Sequence, residues 1–470
     1  MKRKVLSTLL AATMVASVLT GCGSKTESTS NTTTDSATSK TDTADKAEAT
    51  DTADASSTEQ GKIVNIYCWN DEFKSRYEAY AADLAETHGV EVNFVIVANE
   101  NNAYQNNLDA ALTAQESAAA DDKVDVFLIE ADYASKYTKT DFTLDVINDV
   151  GLTAEDLSGQ YQYTKDIVSV DGVQKGTTWQ ATPGLFAYRR SIAKEVLGTD
   201  DPTEVQAMLS DWTKFDEVAA KMKDSGYFML SGYDDAFRTF SNNVSAPWVS
   251  GTQIVIDDNI MKWVEQTKLY TDNGYNNKTT LWAPEWSADQ GPAGKVFGFF
   301  YSTWGINFTL LGNSLEDAEG EQAVGNGIFG DYAVCEGPQA YYWGGTWICA
   351  AKGTDNIPFI KDMMYRLTCD AATMKQITLD TQDYTNNVAA MEEIAGSDYA
   401  SDFLGGQNHI ALFSEAAKKI DMSNISDYDQ GLNESIQQAM HEYFEGNVDL
   451  DTALENFYTA AMEKYPELTK

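Results

Sequence analysis

The chain has 470 residues, of which 72 are acidic and 33 basic, and its formal net charge is -39. A surface of this charge repels nucleic acid and anionic lipid, so neutral or cationic small molecules remain as the expected ligands. The chain contains three histidines and no Cys-x-x-Cys pair, which gives little support to a zinc site. We therefore expect neither a metal nor a cofactor.

The N-terminal segment has the pattern of a secretory signal. Basic residues at 2–4 precede an uncharged apolar run over 5–18, which is too short to cross a membrane. The segment ends in Leu19-Thr20-Gly21-Cys22, which resembles the lipobox of bacterial lipoproteins. The resemblance implies a signal peptide of residues 1–21, an acylated Cys22, and a protein that is lipid-anchored at the outer face of a Gram-positive type of cell membrane. A plain secretory peptide is the alternative.

Residues 22–60 are rich in serine and threonine and contain no aromatic side chain. This composition cannot form a core and indicates a disordered tether between the anchor and a folded body. The body, residues 61–470, exceeds the ~250–300 residues at which single cores stop growing. We therefore expect two domains.

Extended apolar runs and helical periodicities alternate at the start of the body. The predicted strands are 63–68, 90–97 and 124–129, and the predicted helices are 71–88 and 103–119. This order implies a parallel sheet that is covered on both faces. Ligands of such sheets bind beyond the carboxyl ends of the strands, where the chain has Trp69-Asn70-Asp71 and Glu130-Ala131-Asp132-Tyr133.

A second unit of mixed helical and extended patterns begins near residue 188. Its predicted elements are 211–222, 227–231, 261–270 and 296–301, followed by a helical region over 408–470 with an amphipathic segment at 450–462. Four cysteines follow residue 22, and we expect them as buried free thiols, although disulfides are open to a protein outside the cytoplasm. They are Cys68, Cys335, Cys349 and Cys369.

The order of these segments over nearly all of residues 61–470 resembles the extracellular solute-binding proteins of carbohydrate ABC importers, the class that includes maltose-binding protein. The segments that carry the resemblance are the lipobox, Trp69-Asn70, the strand 124–129 with Asp132, Gly-Thr-Thr-Trp-Gln-Ala-Thr-Pro at 176–183 with Tyr188-Arg189-Arg190, residues 211–217, Gly-Phe-Phe-Tyr-Ser-Thr-Trp at 298–304, and the aromatic-glycine stretch 341–347. The resemblance implies a two-lobed α/β fold of the type II periplasmic binding proteins. Each lobe would be a sheet flanked by helices, with the ligand cleft between the lobes.

The resemblance also implies how the lobes share the chain. The N-terminal lobe would contain 61–182 plus 345–392, and the C-terminal lobe 183–344 plus 393–470. The chain would cross between them near Thr182-Pro183, Gly344-Gly345 and residues 388–391. Glycines at the middle crossing suit a hinge, since glycine adopts backbone angles closed to other residues, and a tight turn has the same signature.

By resemblance, the protein captures a carbohydrate, expected to be a di- or oligosaccharide, and delivers it to the permease of an ABC importer as a monomer and without catalysis. Sugar rings offer apolar faces that stack on aromatic rings and hydroxyls that bind planar polar groups. Trp304 matches the stacking tryptophan of the family, and Asp132 matches a hydroxyl acceptor. The other predicted contacts are Trp343, Tyr341, Trp69, Asn70, Thr182, Tyr233, Asp234 and Asp235.

Other tryptophans are interpreted as core residues or as residues that could equally pack within loops. Trp179, Trp263 and Trp347 are predicted core residues, because buried aromatics dominate core packing. Three further tryptophans, in a region with Pro247 and Pro284, could reach the cleft or pack within their loops. They are Trp248, Trp282 and Trp286.

Two alternatives stay open, an enzyme and a binding protein for another kind of solute. A lipid-anchored glycoside hydrolase needs two carboxylates ~5–10 Å apart, which 72 acidic residues could supply, although no catalytic motif is recognisable. A solute-binding protein for a peptide or a polyamine is the other alternative. Maltodextrin specificity does not follow, because Thr182-Pro183 stands where the maltose protein has a charged contact and Asn433 where it has an aromatic residue.

Overall fold

The computed structural model describes residues 60–470. Contacts divide the chain into two units, and these residues all belong to the second, Thr58–Lys470. The predicted signal peptide, Cys22 and nearly all of the predicted tether lie outside the described residues. Within the described part of the chain, no helix is both long enough and apolar enough to cross a bilayer.

The strands are β1 (Ile63–Cys68), β2 (Glu91–Ile96), β3 (Val124–Glu130), β4 (Ser169–Val170), β5 (Val173–Gln174), β6 (Thr177–Thr178), β7 (Gly184–Arg189), β8 (Leu230–Gly232), β9 (Val249–Ser250), β10 (Gln253–Ile254), β11 (Asn276–Thr279), β12 (Gly298–Ser302), β13 (Tyr332–Cys335) and β14 (Thr346–Ala350). The helices are α1 (Glu72–Tyr80), α2 (Asp83–His88), α3 (Ala103–Ala114), α4 (Ala134–Thr138), α5 (Gln162–Asp166), α6 (Arg190–Leu197), α7 (Pro202–Leu209), α8 (Trp212–Asp224), α9 (Phe237–Ser241), α10 (Asp258–Asn273), α11 (Pro284–Asp289), α12 (Thr303–Gly305), α13 (Gly312–Ser314), α14 (Ile357–Thr368), α15 (Ala371–Thr381), α16 (Val388–Ala395), α17 (His409–Ala417), α18 (Asp429–Phe444) and α19 (Leu450–Lys464).

A five-stranded sheet of order β2-β1-β3-β14-β6 forms the centre of the first lobe. Strands β1, β2 and β3 are parallel, as the alternating strand and helix pattern predicts. Strand β14 is antiparallel to β3 and pairs with β6 on its other side. The predicted helix 71–88 is two helices, α1 and α2, and the predicted helix 103–119 ends earlier, at Ala114.

The second lobe repeats this arrangement. Strand β8 is parallel to β11, and Phe228, two residues before β8, forms a parallel bridge to Val296, two residues before β12. Strand β12 pairs antiparallel with β7, which pairs antiparallel with β13. This isolated bridge places the two-stranded sheet β11-β8 beside the three-stranded sheet β12-β7-β13, and the resulting order β11-β8-β12-β7-β13 corresponds strand by strand to that of the first sheet. In each lobe the antiparallel fourth strand, β14 or β7, is formed by chain that has just come from the other sheet.

The segments that connect the two sheets lie side by side. The amide of Trp343 donates to the Thr182 carbonyl at 3.2 Å, and the amide of Gly184 donates to the Tyr341 carbonyl at 2.7 Å. The Thr182 hydroxyl donates to the Gly344 carbonyl at 2.9 Å. A third segment joins them where Ala181 donates to the Tyr384 carbonyl at 3.3 Å. Residues 181–184, residues 341–344 and Tyr384 therefore form one hydrogen-bonded strap between the two sheets, which includes the first two predicted crossings.

Apolar side chains cover both faces of each sheet. One core cluster lies between the first sheet and helices α1, α14 and α15, and another fills the second lobe. A third cluster contains residues of both sheets and of the connecting helices. The predicted core tryptophans Trp179, Trp263 and Trp347 are all buried, which confirms that part of the prediction.

The four cysteines of the described residues are buried and free, as predicted. Burial raises the thiol pKa of each of them, to about 12 for Cys68 and Cys335 and to about 11 for Cys369. They are therefore inert at neutral pH. The described residues also contain no cluster of His, Cys, Asp or Glu side chains that could hold a metal ion.

Candidate ligand-binding site

The carboxyl ends of the parallel strands carry many of the predicted site residues. In the first lobe, Trp69 follows β1 and Asp132 follows β3. In the second lobe, Tyr233 follows β8 and Trp304 follows β12. These are corresponding strands of the two sheets, so both lobes present equivalent edges, as expected for ligand sites of open α/β sheets.

An ion pair joins the two edges. Arg238, in helix α9 just after β8, donates two hydrogen bonds of 2.6 and 2.5 Å to the two carboxylate oxygens of Asp132. The side chains are only 22% and 19% exposed. Beside this pair, Gln105 of the first lobe donates to Gln430 of α18 at 3.2 Å. The lobes are therefore in contact at the edge where the predicted site residues lie.

Two further carboxylates surround the Arg238–Asp132 pair. The Glu130 side chain accepts from the Asp132 amide at 2.8 Å and so caps the short 3-10 turn Ala131–Tyr133 that contains Asp132. Burial, and then the negative charge of Asp132, raise the pKa of Glu130 above its usual range. Burial also raises the pKa of Asp429 to about 7. The contact between the two edges therefore holds a positive guanidinium among carboxyl groups, and burial raises the pKa of two of these, Glu130 and Asp429.

Trp304 lies next to the middle crossing. Its indole Nε1 donates to the carbonyl of Trp343 at 3.1 Å, and the two rings meet edge to face with centroids 5.5 Å apart. A side chain at Gly344 would come within 3.2 Å of the Trp304 Nε1 and 3.6 Å of Glu130. Trp304 is partly exposed, and the chain after it continues as a π-helix, Ile306–Leu311, a form that is frequent at functional sites. Trp304, Trp343 and Glu130 thus come together at the junction of the lobes.

Several other predicted residues have structural partners. The Tyr341 ring is buried against Gly184, and its hydroxyl is 2.8 Å from the carbonyl oxygens of Leu185 and Tyr301. Thr182 is buried and takes part in the strap. Asp235 is buried and accepts hydrogen bonds from the amides of residues 231 and 232 and from Trp286. The side chains of Tyr341, Thr182 and Asp235 therefore already have polar partners within the fold.

Tyr233 and Asp234 point toward helix α18. The Tyr233 ring stacks on Phe444, and the Asp234 carboxylate is 2.8 Å from the His441 imidazole. In the first lobe, Trp69 is partly exposed and contacts Tyr104 edge to face at 5.4 Å. The side chains of Asp234 and Tyr233 are thus held within the second lobe, whereas Trp69 remains at an open edge.

The Asn70 side chain accepts from the amide of Glu72 at 3.0 Å, where it stabilises the start of α1. The side-chain Nε2 of Gln180 donates to the carboxylate of that same Glu72 at 3.0 Å and to that of Asp383 at 3.3 Å. Burial raises the pKa of Glu72 to about 7. This part of the edge is therefore a second group of carboxyl and amide side chains, close to the first crossing.

The sequence profile of the family described as "Bacterial extracellular solute-binding protein" matches residues 79–357, more than half of the chain. The chain belongs to the bacterial extracellular solute-binding proteins. No curated protein sequence is similar enough to this solute-binding protein to count as a match.

Solved structures share the two-lobed fold of this solute-binding protein. A protein described as extracellular solute-binding protein family 1 has a TM-score of 0.69 at 16% identity, over 85% of this chain and 99% of its own. The ABC transporter associated binding protein from B. animalis subsp. lactis Bl-04, in complex with beta-1,6-galactobiose, has a TM-score of 0.65 at 17% identity, over 87% and 99%. The galacto-N-biose-/lacto-N-biose I-binding protein from Bifidobacterium longum, in complex with lacto-N-biose, has a TM-score of 0.64 at 13% identity, over 88% and 100%.

Two polar residues of the candidate site in this solute-binding protein were not among the predicted contacts, although one of them, Glu130, begins a segment that was predicted to lie near the ligand. Arg238 is a lone basic residue in the run Phe-Arg-Thr-Phe, in which both phenylalanines are buried. A charged side chain between buried aromatics, shortly after a strand end, is the signal that could have identified it. Glu130 is the last residue of a strand whose other residues are all buried, which is a similar signal.

A cavity of about 610 Å³ lies elsewhere, between α4, α5 and residues 417–425. None of the predicted site residues lines it. Its lysines already have partners, since Lys139 binds Asp427 at 2.7 Å and Lys418 binds Glu415 at 2.7 Å. We therefore keep the strand ends, where polar groups and partly exposed aromatic rings converge, as the candidate site.

Proposed function

We propose that this solute-binding protein captures a carbohydrate between its lobes and delivers it to the permease of an ABC importer. The observation that carries the proposal is the group formed by Trp304, Trp343 and Glu130 at the junction of the two lobes. A partly exposed indole offers a platform for the apolar face of a sugar ring, and a carboxyl group beside it offers hydrogen bonds to the hydroxyls.

Trp304 is the proposed stacking platform, and Glu130 and Asp132 are the proposed hydroxyl acceptors. A carboxylate has about four acceptor positions, and the two bonds from Arg238 leave Asp132 with two of them. Trp343, Trp69 and Asn70 would complete the surroundings of the sugar. The sugar complexes of the structural relatives support this ligand class.

The lobes would move about the strap, which includes the first two predicted crossings, and the third crossing would lie near residues 388–391. We propose the boundaries 61–182 plus 345–392 for one lobe and 183–344 plus 393–470 for the other. Both Gly344 and Gly345 have positive φ angles, 71° and 115°, which suit glycine at this position. The strap would let the lobes close on the ligand as two rigid bodies.

The proposal includes an acylated Cys22 that anchors a monomeric receptor at the outer face of the membrane. The tether would let the body sample the solution near its permease. Mass spectrometry of the membrane-bound protein tests the anchor, because acylation adds a diacylglycerol mass that a Cys22→Ser variant must lack. An unmodified, released wild-type protein would contradict the anchor and leave the sugar site untouched.

The test of the function is a titration of the purified protein with mono-, di- and trisaccharides, followed by tryptophan fluorescence and calorimetry. We expect saturable binding of at least one sugar, a loss of about 30-fold or more in affinity for Trp304→Ala, and near-normal binding for Trp304→Phe, which keeps an aromatic face. Binding of a peptide or a polyamine in place of every sugar would contradict the carbohydrate proposal.

Chromatography of the same mixtures tests the proposed absence of catalysis. A receptor leaves its ligand unchanged, so each bound oligosaccharide should be recovered intact after prolonged incubation. Release of shorter sugars would instead support the glycoside hydrolase, and Glu130→Gln and Asp132→Asn would then identify whether its carboxyl groups lie in this site.

A further inference from the structure

Trp282 has an unusual backbone and an unusual exposure. Of the ten tryptophans, all within the described residues, it alone is exposed, with 51% of its surface accessible. Its φ angle is +70°, in the left-handed region that side chains other than glycine seldom adopt. Such a backbone conformation is strained for a residue with a side chain, and half of this large apolar ring is left in solvent, where it adds nothing to the burial that stabilises the fold. Stability alone therefore does not account for tryptophan at this position.

The position of Trp282 connects it with the candidate site. It follows the carboxyl end of β11, the strand next to β8 at the same edge of the second sheet. Its ring is nearly parallel to that of Trp304, with an angle of 18° between planes and 6.1 Å between centroids. The Trp343 ring is 5.9 Å away. The aromatic surface that begins at the junction of the lobes thus continues outward to Trp282.

A buried neighbour holds the Trp282 ring. Trp286 of α11 packs against it edge to face at 5.2 Å, and Trp286 is itself fixed by a 3.0 Å hydrogen bond from its Nε1 to the buried Asp235. Asp235 is in turn bound by the backbone at the end of β8. The exposed ring is therefore positioned by a chain of contacts that starts in the core, as expected for a preorganised binding surface.

We propose that Trp282 forms an outer aromatic subsite, which contacts the second ring of a carbohydrate whose first ring stacks on Trp304. This inference rests on the proposed function and specifies its ligand as an oligosaccharide of at least two rings. A single ring on Trp304 would gain nothing from Trp282. A longer ligand would gain a second stacking contact, so affinity should rise with chain length and the rise should depend on Trp282.

The test compares sugar lengths in one variant series. The probes are glucose, maltose and maltotriose, and galactose, beta-1,6-galactobiose and its trisaccharide, titrated by calorimetry into the wild type, Trp282→Ala, Trp282→Phe and Trp282→Gly. We expect Trp282→Ala to weaken di- or trisaccharide binding by about 10-fold, to remove the gain with length, and to leave monosaccharide binding within 2-fold. Trp282→Phe should restore most of the affinity.

Controls separate the subsite from simple packing. Tyr365→Ala removes another exposed aromatic ring, 42% accessible, from α14 of the first lobe, and should change no affinity. Trp282→Gly accepts the positive φ without strain, so we expect its thermal stability to equal or exceed that of Trp282→Ala while its oligosaccharide binding is equally weak. Equal losses at every sugar length, or none, in Trp282→Ala would overturn the subsite. Failure of the wild type to bind any sugar would overturn the proposed function itself.

Discussion

The ion pair between Arg238 and Asp132 leads to a prediction about lobe closure. The two residues lie 106 positions apart in the chain, on different lobes, and make two short hydrogen bonds. The bonds can form only when the lobes approach each other. Replacement of Arg238 by alanine should therefore destabilise the closed arrangement more than it destabilises either lobe.

The size of this effect follows from burial. An exposed ion pair contributes ~0–1 kcal/mol, and loss of one partner from a fully buried pair costs ~3–5 kcal/mol. The pair here is about four-fifths buried, with side-chain exposures of 22% and 19%, and Asp132 would be left beside Glu130. Allowing for solvent screening of the exposed part, we expect closure to weaken by about 2–3 kcal/mol, which corresponds to about 30- to 150-fold in ligand affinity.

Small-angle scattering and calorimetry measure the two consequences. Arg238→Ala should have a larger radius of gyration than the wild type and a weaker affinity for the ligand. Arg238→Lys should recover only part of the affinity, because an ammonium cannot make the bidentate contact of a guanidinium. In the double variant Arg238→Asp/Asp132→Arg the two charges are exchanged. Its radius of gyration should be closer to that of the wild type than the summed effects of the two single variants predict.

A pair inside the second lobe provides the matched control. Arg189 donates to Asp331 at 2.7 Å, with side-chain exposures of 8% and 21%. Arg189→Ala should lower the free energy of unfolding but leave the radius of gyration of the folded protein unchanged. If Arg238→Ala kept the affinity and the radius of gyration of the wild type, the pair would contribute nothing to closure and the reasoning would be refuted.

Two further predictions concern stability. Gly344→Ala should lower the free energy of unfolding by about 1–2 kcal/mol, because its φ of +71° is unfavourable for alanine. It should also weaken ligand binding, because the new Cβ would be 3.2 Å from the Nε1 of Trp304. The control is Gly446→Ala, with a φ of +81° and open space around it, which should show only the loss of stability in urea denaturation. The pKa of His441 is lowered by burial but raised further by its hydrogen bond to Asp234 and the charge of that carboxylate, so the net shift is upward. The stabilisation of the folded state by protonated His441 should be complete at a pH below the pKa of histidine in the unfolded chain, ~6.5. It should be lost as the pH rises through the higher pKa of His441 in the folded protein. As the pH rises through this range, the urea midpoint of the wild type should fall, and that of Asp234→Asn should change less. Equal falls in both proteins would contradict the assignment of this pH dependence to the His441–Asp234 pair.

Much of the fold could be predicted because it depends on local pattern. Strands β1 and β3 are short runs of buried residues between helical periodicities, and their parallel pairing follows from that order. The positions of Trp69 and Asp132 beyond strand ends follow from the same rule, whereas Trp304 was predicted from the resemblance to the solute-binding family. The break between α1 and α2 was missed because Ala81 and Ala82, between them, are good helix formers and give no local stop signal.

Contacts between distant segments could not be predicted in this way. Arg238 pairs with Asp132 because of the relative orientation of two lobes, and no spacing in the sequence encodes it. Tyr341 and Trp343 are two residues apart, yet the Tyr341 hydroxyl is bound to backbone in the core while Trp343 contacts Trp304. Their difference depends on how the strap passes between the sheets, so the motif alone could not show which of the two buried rings would contact Trp304.

The partners of Asp132 suggest how affinity is balanced in this protein. The bonds from Arg238 favour the closed arrangement before a ligand enters, and a ligand must find the protein open. If the pair favoured closure too strongly, the open fraction would fall and the apparent affinity would fall with it in proportion. If it were absent, the ligand alone would supply the free energy of closure. An ion pair that is partly exposed, and therefore weaker than a buried one, suits this requirement. We therefore expect affinity to have a maximum at intermediate strength of the Arg238–Asp132 pair, so that both its removal and its further burial weaken binding.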